Sequence, residues 1–295
     1  MPIVMTLRGS KFVFSTATRM RTRISARPAV AAVATPPRSV TRLVDVRLYA
    51  RNGWMVYEIS PKKGRWLPDA QSRQALYLHG GAYVFEIALQ HWQLVACLAD
   101  SANTCVTLPI YPLAPIETAE TIVPKATDLA ATLIAKFGSE NVSVLGDSAG
   151  GGMALAVAME LRNRGLSELH RIILISPWLD ISGTDPALQL IAPTDPWLAV
   201  PGSHEAGRIY RGILSEDAPA VSPIHGDLTG LGPIMMFSGT RDILNADAQR
   251  LMRLATANGI EIDYHEGIGM IHVYPLLPIP EGRASRRIII SALRG

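Results

Sequence analysis

A serine flanked by glycines is the most reactive residue pattern in this chain. Gly146, Ser148 and Gly150 follow an apolar run at residues 141–145 and precede a helix-forming stretch from Met153 to Arg164. A strand that turns sharply into a helix needs small residues on both sides of the central serine, because the two backbone segments crowd there. The pattern therefore predicts a nucleophile elbow that exposes Ser148 above a sheet edge, rather than a serine that only caps the following helix.

A serine hydroxyl becomes a nucleophile when an imidazole takes its proton and a carboxylate fixes the tautomer of that imidazole. Asp242 follows a predicted strand at residues 234–238, and His272 lies beyond a predicted strand at residues 260–265. The reactive groups of an open parallel sheet gather outside the carboxyl ends of its strands. We therefore expect Ser148, Asp242 and His272 to meet at one edge of the sheet and to form a catalytic triad.

Three other titratable residues near these two are given structural interpretations. His265 lies within a predicted strand and Asp263 alternates with it, so both are expected to face solvent or to pack structurally. Asp247 falls in the first turn of a predicted helix, where a carboxylate suits the helix dipole.

A second glycine-containing segment, residues 79–83, directly follows a predicted strand at residues 75–78. Glycines allow a substrate to approach backbone N–H groups closely, and such groups stabilise the oxyanion that forms during acyl transfer. We expect the N–H groups of Gly81, Ala82 and Ala149 to form an oxyanion hole.

Buried strands and helices alternate along most of the chain, which predicts a parallel sheet covered by helices on both faces. A hairpin around Asn52 and Gly53 is expected before this pattern begins. Two of the helices are predicted to begin at Pro124 and at Met153. Six prolines interrupt residues 183–232, which indicates an insertion between two of the strands.

Together, these motifs resemble those of the hormone-sensitive-lipase-like esterases of the α/β-hydrolase superfamily. The matching segments, from about Leu76 to His272, are His79–Tyr83, Tyr111–Pro115, Gly146–Gly151, Ser176–Trp178, Gly239–Asp242 and Gly269–Val273. The sequence departs from the family at Ala82, where many members have a third glycine, and at residues 116–118, which replace a Glu-His-Pro continuation.

The resemblance implies an α/β-hydrolase fold, with a mostly parallel eight-stranded sheet, helices on both faces and a helical cap. Residues 1–42 would form an N-terminal cap segment, and residues 43–295 the catalytic domain with a cap insertion at about residues 184–215. It also implies a carboxylesterase that hydrolyses short- to medium-chain esters through an acyl-enzyme intermediate. A lactonase or an amidase using the same machinery stays open, as does a ligand-binding pseudohydrolase from another class.

Four aromatic residues are candidates for the walls of a substrate pocket, although each such residue is more often part of the core. They are Tyr83, Trp178, Trp197 and Tyr210.

Composition limits the other classes of function. The chain has 295 residues, of which 48% are apolar and 18% charged, and it has no apolar run long enough to span a bilayer. Residues 1–44 carry eight Arg or Lys and no acid, whereas the net charge of the whole chain is only +3. The remaining residues are therefore mildly acidic, which argues against a nucleic-acid-binding surface. Two cysteines are too few for a disulfide framework, and none of the seven histidines has metal-ligand spacing, so we expect neither a metal nor a cofactor.

The acid-free N-terminal segment has three interpretations. Ser10 to Arg27 could form a basic helix that docks on the domain, whereas Met1 to Val44 has the composition of a mitochondrial transit segment or of a disordered tail. Docking is the favoured interpretation, so we expect a cytoplasmic protein, with targeting to an organelle as the alternative. The expected partner is a small-molecule ester substrate, and a homodimer is left open.

Overall fold

The structure is a computed structural model that describes residues 10–26, 34–62, 72–166 and 168–295. Its strands form one eight-stranded sheet. The strands are β1 (Val44–Arg51), β2 (Trp54–Pro61), β3 (Gln74–Leu78), β4 (Cys105–Ile110), β5 (Val142–Asp147), β6 (Arg171–Ile175), β7 (Ile234–Gly239) and β8 (Ile262–Gly267).

The strand order in the sheet is β1-β2-β4-β3-β5-β6-β7-β8. The first two strands form an antiparallel hairpin, and β2 pairs with β4 in the antiparallel sense, whereas every other neighbouring pair is parallel. Asn52 and Gly53 turn the hairpin with φ angles of +51° and +81°, as an Asn-Gly turn requires. The predicted mostly parallel sheet is confirmed.

Helices cover both faces of the sheet, because its central strands are apolar on both sides. In β3, Leu76 and Leu78 belong to one apolar cluster, and Ala75 and Tyr77 belong to the other. The helices are α1 (Ala17–Ser25), α2 (Arg38–Thr41), α3 (Leu89–Ala102), α4 (Ala119–Phe137), α5 (Ala149–Asn163), α6 (Ala187–Ile191), α7 (Val200–Tyr210), α8 (Asn245–Ala257) and α9 (Pro280–Arg294).

Each face has its own set of helices. Buried residues of α4, α5 and α8 contribute to the first cluster, and buried residues of α3 and α9 contribute to the second. The sheet is therefore the middle layer of three, and the carboxyl ends of its parallel strands lie along one edge, where loops can meet.

Two helices begin earlier than the sequence predicts. The fourth helix begins at Ala119 instead of Pro124, because Ala119, Ile122 and Val123 are buried and their packing extends the helix beyond a proline that normally marks a first turn. The fifth begins at Ala149 instead of Met153, directly after Ser148. The intervening glycines have poor helix propensity, but they allow close contact with the backbone of Leu78, Pro177 and Trp178.

The N-terminal segment packs on α7. A Cβ on Gly202 would lie 2.4 Å from the Cα of Phe14, and Arg21 forms an ion pair of 3.4 Å with Glu205. The segment is not one continuous helix as predicted for residues 10–27, because Thr16 caps α1 by accepting a hydrogen bond of 3.1 Å from the N–H of Arg19. Arg27 lies outside the described residues.

Within the described ranges of the chain, no helix combines the length and the apolar character that crossing a bilayer requires.

Candidate active site

Ser148 occupies the junction of β5 and α5 in a conformation that L-residues rarely adopt. Its φ is +53° and its ψ is −122°, and its N–H donates to the carbonyl of Ile175 over 2.8 Å. A Cβ on Gly146 would lie 2.2 Å from the carbonyl oxygen of Gly150, and a Cβ on Gly150 would lie 2.0 Å from that of Leu78. Close backbone approach therefore requires a glycine on each side of the serine.

His272 lies between Ser148 and Asp242. Its Nε2 is 2.9 Å from Ser148 Oγ, and its Nδ1 is 2.8 Å from Asp242 Oδ2. The exposed fractions are 9% for Ser148, 4% for His272 and 0% for Asp242, so water scarcely competes for these contacts. Because Nδ1 faces a carboxylate, it holds the proton, and Nε2 can accept the proton of the serine hydroxyl.

Tertiary contacts hold the two loops that deliver the histidine and the acid. Val273 has a φ of +46°, which is strained for a β-branched residue, and its N–H donates to Ser176 Oγ over 3.0 Å. The N–H of Arg241 donates to the carbonyl of Met270 over 2.9 Å. These contacts tie the loop after β8 to the ends of β6 and β7.

The imidazole of His272 is surrounded by negative charge. Burial by itself would lower the pKa of His272, but the charge and hydrogen bond of Asp242, with smaller effects of Asp195 and Asp147, raise it above its usual value. The site therefore favours the imidazolium ion that forms when a histidine takes a proton from a serine.

Three backbone N–H groups near Ser148 are the candidates for the oxyanion hole. Among the residues that the structure describes, none accepts a hydrogen bond from the N–H of Gly81, Ala82 or Ala149. Ala82 has a φ of +52°, a value that glycine adopts more readily than other residues, and the structure accommodates an alanine there. Gly81, Ala82 and Ser148 line the same cavity, whereas Ala149 belongs to the helix that begins beside it.

A buried carboxylate beside the serine was missed by the sequence analysis. Asp147 Oδ1 accepts hydrogen bonds from the hydroxyl of Tyr77 over 2.5 Å and from the N–H of Gly80 over 2.9 Å. Its Oδ2 lies 3.2 Å from Nε2 of His91, whose Nδ1 accepts the N–H of Ala88 over 2.8 Å.

Burial opposes the charge of this carboxylate, but His91 and the other donors lower the pKa of Asp147. The carboxylate anchors Gly80, the residue next to the free N–H groups. Its position inside the Gly-x-Ser-x-Gly pattern was the only signal in the sequence.

A cavity of about 330 Å³ opens beside Ser148 and His272. Phe14 of the N-terminal segment, Phe85 and Leu198 contribute apolar wall, as do the predicted pocket residues Trp178 and Trp197. The ring of Trp197 stands edge-on to the ring of His272 with the centroids 5.7 Å apart.

The structure does not place the other two predicted pocket residues in the cavity wall. Tyr83 and Tyr210 are stacked on each other with their ring centroids 3.4 Å apart, and their exposed fractions are 1% and 0%. Tyr83 also stacks on Trp178, so the two tyrosines lie behind the wall and support it. Each of these rings is covered by another ring, which is the packing that core residues have.

Of the residues set aside in the sequence analysis, one differs from its interpretation. His265 Nε2 and Asp263 Oδ1 lie 3.0 Å apart in β8, away from the serine, as expected for structural residues. Asp247 is in the first turn of α8, but it is buried, and no described residue donates a hydrogen bond to its carboxylate. Burial and the nearby Asp180 raise the pKa of Asp247 to about 7, which opposes the charged form that a helix dipole would favour.

Within the described ranges, no three His, Cys, Asp or Glu residues are grouped so that they could hold a metal ion.

The comparisons with known proteins agree with this geometry. A family model described as the α/β hydrolase fold matches residues 75–276. The chain belongs to the α/β-hydrolase family. It is 31% identical to a triacylglycerol lipase of Mycobacterium tuberculosis over 82% of this chain, although it spans only about half (50%) of that lipase. It is 31% identical to an acetyl-hydrolase of Streptomyces hygroscopicus over 78% of each chain.

Solved structures place this α/β hydrolase in one branch of the family. A crystal structure of an esterase from the bacterial hormone-sensitive lipase family superposes with a TM-score of 0.78 and 26% identity, covering 94% of this chain and 96% of the other. The chain is therefore a hormone-sensitive-lipase-like α/β hydrolase.

Proposed function

We propose that this α/β hydrolase is a carboxylesterase that cleaves short- to medium-chain esters through Ser148, His272 and Asp242. The observation that carries the proposal is the continuous chain of contacts from Ser148 Oγ through both ring nitrogens of His272 to Asp242, at 2.9 and 2.8 Å, facing a cavity. A serine that only capped its helix would need neither the buried imidazole nor the carboxylate behind it.

The first half of the reaction acylates the serine. The hydroxyl oxygen of Ser148 attacks the ester carbonyl carbon while its proton moves to Nε2 of His272, and Asp242 stabilises the imidazolium through the Nδ1 proton. The carbonyl oxygen becomes an oxyanion that accepts hydrogen bonds from Gly81, Ala82 and Ala149. When the tetrahedral intermediate collapses, Nε2 gives its proton to the alcohol oxygen, which leaves.

The second half repeats these steps with water. A water molecule gives a proton to Nε2 as its oxygen attacks the carbonyl carbon of the acyl-enzyme, and the same N–H groups hold the new oxyanion. His272 then returns the proton to Ser148 Oγ as the acyl–oxygen bond breaks. The products are the carboxylic acid and the restored serine.

The size of the cavity supports the proposed substrate class. A volume of about 330 Å³ is at the lower end of the range for small-molecule sites, and its wall includes aromatic side chains. We propose that residues 1–42 and the insertion at about 184–215 form the cap that closes it, because Phe14 and Trp197 reach the cavity from these two segments. An acyl chain of a few carbons fits such a site better than a long fatty chain.

A series of p-nitrophenyl esters with acyl chains of increasing length tests the proposal. We expect hydrolysis that is fastest for short and medium chains and that falls by about 10⁶ in Ser148→Ala. Ser215→Ala, which changes an exposed serine, is the matched control and should retain the wild-type rate. Unchanged turnover in Ser148→Ala would refute the mechanism, and a preference for long chains would refute the substrate class.

A further inference from the structure

A second buried carboxylate lies next to the proposed triad. Asp195 is 2% exposed and belongs to the α6–α7 loop, residues 192–199. Its Oδ1 accepts the N–H groups of Trp197 over 2.7 Å and of Leu198 over 2.9 Å. Its Oδ2 accepts the N–H of Ile243 over 3.0 Å, and Ile243 directly follows Asp242. One carboxylate thus joins the α6–α7 loop to the loop of the proposed catalytic acid.

Both residues that flank this junction contact the triad. Asp242, itself the acid of that triad, binds Nδ1 of His272 over 2.8 Å and accepts the N–H of Leu244 over 3.0 Å through its other oxygen. Trp197, held by Asp195, stands edge-on to the imidazole. A displacement of Asp195 would therefore move a wall of the cavity and the acid loop together.

The charged groups around Asp195 come from several elements. Asp242 is the acidic neighbour. The Nζ of Lys11 donates to the backbone carbonyls of Asp195 over 2.7 Å and of Leu198 over 2.6 Å, and Nε of Arg241 donates to the carbonyl of Thr194 over 3.3 Å.

These groups act on the charge of Asp195 in opposite senses. Burial and Asp242 raise the pKa of Asp195, while the three backbone N–H donors oppose that rise. The backbone N–H donors therefore favour the charged form of the Asp195 carboxylate.

We propose that Asp195 is a positioning residue of the ester-hydrolysis site, which acts through Asp242 and His272. Its negative charge stabilises the imidazolium form of His272, and its hydrogen bonds set the acid loop against the α6–α7 loop. The inference rests on the proposed function only for its kinetic consequence, since the effect on the imidazole exists whether or not an ester is present.

The sign of the effect follows from the charges. Removing the negative charge of Asp195 leaves Asp242 and Asp147 as the acids that favour the imidazolium, so the pKa of His272 falls. A histidine with a lower pKa stays neutral to lower pH, but it is a weaker base for the serine proton. Asp195→Asn should therefore shift the acid limb of the rate profile to lower pH and lower kcat.

The direct test is an NMR titration of His272 in the full chain without substrate, with the resonance assigned by its loss in His272→Gln. The first variant is Asp195→Asn, which keeps one side-chain oxygen as an acceptor for the N–H groups of Trp197 and Leu198. If it folds poorly, Asp195→Ser keeps a hydroxyl oxygen as the acceptor. Asp185→Asn is the matched control: Asp185 accepts the N–H of Ala187 over 2.8 Å in the same insertion, and it does not act on the imidazole.

We expect the titration midpoint of His272 to fall by about 0.5 pH unit or more in both Asp195 variants and to stay unchanged in Asp185→Asn. Kinetics on a p-nitrophenyl ester should show kcat lowered on the order of tenfold, a smaller change in KM, and the acid limb displaced in the same direction. An unchanged midpoint in a folded Asp195 variant would overturn the proposal and leave Asp195 a structural residue. If the wild-type protein hydrolysed no ester, only the proposed function would fail, since the titration needs no turnover.

Discussion

At the residue scale, the site depends on how one imidazole holds a proton. His272 is buried, its Nδ1 faces Asp242, and its Nε2 faces the oxygen that must lose a proton. Burial disfavours the imidazolium form of His272, whereas the surrounding carboxylates favour it. The carboxylates have the larger combined effect, and the pKa of His272 is raised.

The raised pKa of His272 predicts the pH dependence of the reaction. The neutral imidazole is the active base, so kcat/KM should fall as pH decreases through the pKa, by about tenfold per pH unit, with a midpoint above about 6.5. Asp242→Asn removes the main charge that favours the imidazolium, so its midpoint should move to lower pH while its rate falls by about 10⁴. A rate profile that is flat from about pH 5 to 8 would contradict the role of His272.

At the element scale, the strands bring loops together that the chain separates widely. Ser176 at the end of β6 accepts the N–H of Val273, so a residue next to the histidine is held in a strained conformation by a neighbouring strand. Glycine adopts a positive φ without this strain. The position of the histidine therefore depends on a hydrogen bond outside its own loop.

Removal of the Ser176 hydroxyl should loosen that loop. Ser176→Ala leaves the N–H of Val273 buried without an acceptor, at a cost of about 1–3 kcal/mol, and should lower kcat roughly tenfold to a hundredfold with less effect on KM. Adding Val273→Gly should recover part of the loss, because glycine relieves the backbone strain. Thermal unfolding and kinetics of both variants measure these effects, and wild-type kcat in Ser176→Ala would show that the contact does not position His272.

Elements and local motifs were predictable from the sequence to the extent that their causes are local. The alternating strands, the Asn52-Gly53 turn and the glycines around Ser148 have steric causes within a few residues, and the structure has all of them. Asp147 and Asp195 were not found, because each acts through partners that are distant in the chain. The starts of α4 and α5 were misplaced because tertiary packing outweighed the propensities of proline and glycine.

At the scale of the whole molecule, the cavity is built from parts that are far apart in the chain. Phe14 lies in the N-terminal segment, its ring centroid is 6.0 Å from that of Phe85, and both rings line the cavity. Trp197 comes from the insertion, and its indole N–H donates to Ser10 Oγ over 3.0 Å. The N-terminal segment and the insertion thus hold each other at the cavity, so the proposed chain-length preference depends on both segments.

Truncation of Phe14 should therefore change the preferred substrate. Phe14→Ala enlarges the cavity, so the ratio of kcat/KM for a long relative to a short acyl chain should rise about tenfold, at a cost of about 3–5 kcal/mol of stability. Phe12→Ala is the matched control, because that ring is 59% exposed in the same segment and does not line the cavity. An unchanged ratio in a folded Phe14→Ala variant would show that the N-terminal segment does not limit the acyl chain.

Covalent labelling with a fluorophosphonate tests most directly whether Ser148 is activated by its neighbours. Intact-mass and peptide analysis should find one phosphonyl group per chain, carried by Ser148, with labelling abolished in Ser148→Ala and strongly slowed in His272→Gln. No labelling of the wild-type protein would contradict the role of Ser148 and favour a binding protein built on the same fold. A label on another residue at the same rate would also contradict the role of Ser148.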